Sequence, residues 1–182
     1  EETPVYSAPL LNGISVGYFE DFESTPVGWT TFGSAEWQWG VPTVGPEAAY
    51  SGEKVYATNL SGTYGARANM SLQMPPIDLP EGSSYLQFKQ WHNLERRYDF
   101  GLVFISTDGE NYTQLGSFND LSNGWVDGEV DLSAYAGKEV YIAINHYTDA
   151  KWSLYIDNVE LTDGSAKTRS LAQTRSTSPQ IE

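Results

Sequence analysis

The stretch GLVFISTDGENYTQL, Gly101 to Leu115, sets the fold class. Leu102, Phe104 and Thr107 lead into Asp108-Gly109, a pair that tolerates positive φ, and Tyr112 and Leu115 return on a second strand. Side chains alternate across a strand, so two such runs joined by a tight turn make a β-hairpin.

The same period continues outward in both directions. Short alternating runs bounded by Gly, Pro, Asn and Asp predict strands near 14–23, 54–60, 68–74, 84–94, 100–107, 112–118, 125–131, 139–147 and 153–162. No window of a dozen residues carries the i, i+3, i+4, i+7 spacing of an amphipathic helix. This pattern predicts an all-β jelly-roll β-sandwich of two antiparallel sheets. In DLSAYAGKEVYIAINHY a turn or single helical turn over 132–137 precedes a strand whose Ile142 and Ile144 mark the core face. Residues 31–53, rich in Gly, Pro and Trp, read as a long ordered loop of the kind that often carries function. The chain divides into an N-terminal segment (1–13), the jelly-roll domain (14–163) and a flexible tail or linker (164–182) poor in large apolar residues.

Composition narrows the function. With 182 residues, 40% of them hydrophobic and 14% aromatic, the chain can bury one well-packed core. A formal charge of −14 repels phosphate backbones, which argues against nucleic acid as a partner. No apolar run is long enough to span a bilayer. The absence of Cys removes disulfides, thiolate zinc sites and a cysteine nucleophile.

Catalytic constellations are weak. Gly13-Ile14-Ser15-Val16-Gly17 matches G-x-S-x-G, but it opens a strand and no helix follows, as a nucleophile elbow requires. His92 and His146 stand outside any metal-binding spacing and read as structural. Glu129 and Asp131 share a strand face, as glycosidase carboxylates do on jelly rolls, yet a surface turn follows and no third acid is in register. No catalytic residue is assigned. Asp99 follows Arg96 and Arg97, so an ion pair at a strand start competes with a ligand role.

Asp157 is the anomaly. Strict alternation through WSLYIDNVELTDG aligns it with Tyr155, Val159 and Leu161 on an apolar face, where an unpaired charge costs several kcal/mol. Glu20, Asp21 and Glu23 in YFEDFES supply acids at the other end of the domain, and jelly rolls usually set the first and last strands side by side. Calcium takes six to eight oxygen ligands and suits an acidic, Cys-free chain, so Asp21, Glu23 and Asp157 are candidate calcium ligands. The competing reading is that the acidic triplet protects an exposed sheet edge from aggregation. Trp37, Trp39 and Trp125, in loops, are candidate platforms for stacking on a sugar ring, as is Trp29; Trp91 and Trp152 read as core.

The ordered string DFESTPVGWT, EWQWGVP, YSGEKVYATNLSGTYG, RRYDFGLVFISTDGENYTQLG, DLSAYAGKEVYIAI and YIDNVEL resembles the cleaved-adhesin, or choice-of-anchor J, domains across about 18–163. It is also similar to the jelly-roll domains of immune inhibitor A-type metallopeptidases, and more distantly to MAM domains. The resemblance implies a calcium-stabilised, non-catalytic jelly roll of a secreted or cell-surface bacterial protein. It further implies adhesion to host or environmental protein or glycan through loops, within a larger surface protein. Carried onto this chain, it gives Glu23 and Asp157 a part in the calcium site, with Asp21 and groups in 50–52 completing it. The alternative from another class is a carbohydrate-binding accessory module or a glycosidase.

Overall fold

The computed structural model describes residues 13–62, 67–148 and 153–165. Nearly all of the predicted N-terminal segment and tail, and Trp152, lie outside the described residues. In chain order the strands are β1 (Phe19–Glu20), β2 (Thr30–Gly33), β3 (Gln38–Gly40), β4 (Val55–Ala57), β5 (Ala68–Gln73) and β6 (Ile77–Asp78), then β7 (Tyr85–Asn93), β8 (Phe100–Ser106), β9 (Tyr112–Phe118), β10 (Val126–Asp131), β11 (Glu139–Thr148) and β12 (Ser153–Thr162). A 3-10 turn, Ser133–Tyr135, stands where the sequence places a turn.

Two antiparallel sheets face each other, as the alternation predicts. One runs β10-β7-β12-β4-β3 with β1 added on β12; the other runs β2-β5-β11-β8-β9 with β6 added on β11. Between them lies the core. β7 buries Leu86 and Phe88, β8 buries Val103 and Ile105, and β11 buries Val140, Ile142 and Ile144, each at every second position. The β8–β9 hairpin closes through Asp108, whose carboxylate accepts hydrogen bonds from the backbone N–H groups of Glu110 and Asn111 at 2.8 and 2.7 Å.

Three differences from the sequence expectation bear on the site. The first strand covers only Phe19–Glu20 instead of 14–23, because Gly17 and Phe22 adopt left-handed φ values of 98° and 62° that end an extended run on either side. Within the expected loop 31–53, β2 and β3 form, too short for a period to show.

The third concerns the last strand. Between Asp157 and Glu160 its register against β7 shifts: Asp157 pairs with Lys89 but Glu160 with Gln87, so β12 carries one extra residue there. This is a β-bulge, with Asn158 at φ 45°. It reverses the parity of the faces. Leu154 and Ile156 reach the main core before it, and Val159 and Leu161 do so after it. Of the three apolar residues that strict alternation aligns with Asp157, only Tyr155 shares its face, on the outer side of the sheet.

Candidate functional site

The outer face of β12 is covered by the chain from Val44 to Lys54. Tyr155 donates its hydroxyl to the Val44 carbonyl at 2.6 Å and packs edge-on against Trp91, in a small second core with Val55 and Ala57. Beside it, Asp157 is fully buried. The edge of β12 away from β7 pairs with β4 at Tyr155 and Ile156 and with β1 at Val159 and Glu160. Asp157 and Asn158 fall in the gap between those two neighbours.

That gap is filled by Glu23 and by residues 51–54. Phe22, turned into the core, leaves Glu23 facing this loop, and its carboxylate accepts N–H bonds from Glu53 and Lys54, each at 3.0 Å. Gly52 makes the approach possible: at φ 63° a Cβ there would lie 2.3 Å from the Glu23 carboxyl. Asp157 accepts from the N–H of Ser51 at 3.1 Å and of Asn158 at 2.8 Å, while the Ser51 hydroxyl donates to the Asn158 side-chain oxygen at 2.8 Å. Burial raises the Asp157 carboxyl to about 6; the N–H groups pull it down in part, and the Glu23 charge pushes it up again. Two carboxylates from opposite ends of the domain thus converge on one loop. No ion pair with Lys or Arg neutralises either of them among the described residues.

Asp21 stands apart from this pair. Its carboxylate accepts the Glu23 N–H at 3.1 Å, a local turn bond. Among the described residues no group of three or more Asp, Glu or His side chains converges as a metal centre. An ion at this position would draw on Glu23, Asp157 and oxygens of the backbone, Ser51 or Asn158. Those donors are all oxygen, the chemistry calcium takes.

The tryptophans are not the free platforms that the sequence suggests. Trp37 is 4% exposed, lies in the main core and donates its indole N–H to the Met70 carbonyl at 3.2 Å, so its assignment to ligand binding is corrected. Trp29 is buried in the same core. Trp39 is partly buried, bonded to the Phe22 carbonyl at 2.7 Å, and Lys54 sits over its ring at 4.9 Å. Trp125 donates to the Ala48 carbonyl at 2.9 Å and meets Tyr50 edge-on. Each indole N–H staples an irregular segment to the sandwich, which is why the Trp-rich stretch looks like a loop and packs like a core.

The residues weighed for catalysis are engaged locally. Ser15 donates to the Asp78 carbonyl at 2.6 Å. Glu129 accepts from Gln87 at 2.7 Å, and Asp131 accepts the Ser133 N–H at 2.8 Å. His92 is buried against the Asp120 carbonyl at 2.7 Å, and desolvation lowers its pKa. Asp99, also buried, accepts the Thr148 hydroxyl, while Arg96 approaches Asp120 at 3.9 Å.

Among the described residues, a concavity opens on the outer face of each sheet. One, of about 680 Å³, lies next to the Asp157 gap and is lined by Phe19, Tyr50, Lys89, Asp127, Glu129 and Glu160. The other, of about 320 Å³, crosses the second sheet and is lined by Phe32, Asn69, Ser71, Tyr112, Asn145 and Tyr147 among others. The sequence reading missed this second groove; its trace in the sequence is the uncharged outward set Tyr141, Ala143, Asn145 and Tyr147 opposite the core-facing isoleucines.

Comparison with known proteins places this geometry. No family model matches the chain. It is 49% identical over 168 residues, 89% of its length, to Bacillopeptidase F of Bacillus subtilis, of which it spans only 12%. The K1 cleaved adhesin domain of Lys-gingipain from Porphyromonas gingivalis superposes with a TM-score of 0.62 at 21% identity, covering 80% of this chain and 96% of that one. The CBM22-1 xylan-binding domain of Xyn10C from Paenibacillus barcinonensis superposes with a TM-score of 0.54 at 18% identity, covering 80% and 92%.

Proposed function

We propose that the chain, whose jelly-roll fold is shared with a cleaved adhesin domain, is a non-catalytic binding and adhesion module of a longer exported protein, stabilised by calcium. The observation that carries the calcium part is the buried Asp157 beside the Glu23 charge, with no ion pair to Lys or Arg at either among the described residues. Holding two like charges in a desolvated gap is unfavourable, and a divalent cation converts that repulsion into attraction. Glu23 and Asp157 would hold the ion, with Asp21 one turn away. When bound, it supplies charge neutralisation and ties β1, β12 and the 51–54 loop together. Its role is rigidity.

The adhesion part is supported by kinship with a small segment of a far longer protein and by the fold it shares with an adhesin domain. It is tested by presenting the purified chain to immobilised matrix proteins and to a glycan array; saturable binding to either supports the module, and binding to neither sinks it. For calcium the test is thermal melting in chelator and in excess calcium. A rise in melting temperature with calcium is expected, and coincident melts overturn the ion. A second reading, a carbohydrate-binding accessory module, is favoured by the fold shared with a xylan-binding domain and by the groove on the second sheet.

A further inference from the structure

The two sheets present outer faces of opposite character. On the first, Lys89, Asp127, Glu129 and Glu160 line the concavity, as expected for a chain of net charge −14. Among the described residues the groove on the second is lined by no charged side chain: aromatic rings, amides, hydroxyls and the apolar Leu102 and Ala143 make up its lining. The strands that build it are in register. Phe32 of β2 is opposite Ser71 of β5, Ser71 is opposite Asn145 of β11, and Asn145 is opposite Leu102 of β8. Four strands at about 4.8 Å spacing give a rung roughly 14 Å across, the length of a short oligosaccharide.

The polar groups on this face are already oriented. Asn145 is 7% exposed, and its side-chain N–H₂ donates to Asn69 and to Ser71, each at 2.8 Å. With its nitrogen committed, the Asn145 carbonyl oxygen remains to accept, and the Asn69 amide nitrogen remains to donate. Tyr112 donates to Gln73 at 2.6 Å, which fixes that amide in the same way. Phe32 and Tyr147, 46% and 49% exposed, stand on either side of β5.

We infer that this groove binds an uncharged glycan chain, its sugar rings lying on Phe32 and Tyr147 and its hydroxyls meeting the Asn69, Ser71 and Asn145 side chains. A sugar offers an apolar ring face and a rim of neutral donors and acceptors, and the groove matches both. The absence of charge decides the ligand class. An ionic partner would leave its charge unpaired on this face, whereas it would be paired on the opposite sheet. This assignment rests on the carbohydrate-binding reading above and adds to it the contacting residues and the uncharged character of the glycan.

The experiment is titration calorimetry of the full chain, in calcium, with xylohexaose, cellohexaose and β-1,4-galactotriose at low and high salt. Phe32→Ala and Tyr147→Ala alter exposed rings, and Phe19→Ala alters an exposed ring on the other sheet. The inference expects at least one sugar to bind with a salt-independent Kd. It expects either groove substitution to weaken that binding about tenfold or more, with melting temperature unchanged, and Phe19→Ala to leave it intact. Binding equal in wild type and both groove variants overturns it, as does binding of none of the three sugars. Either failure leaves the module reading standing if the matrix-protein assay is positive, and the two failures are thereby told apart.

Discussion

Asp157 is held in a state it would not choose in water. Its carboxyl titrates near 6 in the fold against about 3.9 in the unfolded chain. Between those values the folded protein binds the extra proton, so metal-free stability falls as pH rises through that window. At 1.36 kcal/mol per pKa unit the loss is roughly 3 kcal/mol, and it is complete above pH 6. Denaturant midpoints in chelator at pH 4 and pH 7 should show this decline, and Asp157→Asn should flatten it. The same substitution should raise metal-free stability at pH 7 and abolish the response to calcium; an Asn variant that calcium still stabilises would remove Asp157 from the ligand set. Trp37 makes the opposite prediction. Buried in the core, its replacement by Ala should cost about 3–5 kcal/mol in equilibrium unfolding, a packing effect independent of any ligand.

At the scale of elements, β12 and the 51–54 loop form one device. The bulge residue Asn158 sits at φ 45°, where a β-branched side chain is strained, so Asn158→Val should lower stability by about 1–3 kcal/mol while Asn158→Gly costs less. Gly52→Ala would drive a methyl into the Glu23 carboxyl, and a fall of about 1–3 kcal/mol together with a smaller calcium shift is expected in the same melts. These elements also mark what sequence could disclose. The long alternating strands were legible almost to the residue, with 112–118 read as it stands and 125–131 one residue long at its start. So was the meeting of the domain's first and last described strands, since β1 pairs with β12. The face of Asp157 was misread because a bulge is a property of a strand and its partner, and one strand's alternation does not reveal it. Trp37 was misread because irregular segments carry no period to separate buried from exposed rings. The groove on the second sheet escaped because Phe32, Asn69 and Asn145 are distant in sequence and adjacent only through strand pairing.

The whole molecule is strongly acidic, and its charge is unevenly placed. Self-repulsion in a chain of −14 should make the metal-free form more stable as ionic strength rises from near zero to 0.15 M, most steeply at low salt; a melting temperature flat across that range would assign the instability to the Asp157 gap alone. The order of strands has a separate consequence, for synthesis and not for binding. β12 is the last strand among the described residues and lies inside its sheet, flanked by β7 on one edge and by β4 and β1 on the other. Until residues 153–162 have left the ribosome, β7 and β4 have no common partner and the first sheet cannot assemble. Closure of the sandwich is therefore timed to the emergence of β12, the ten-residue strand with which both β7 and β4 pair.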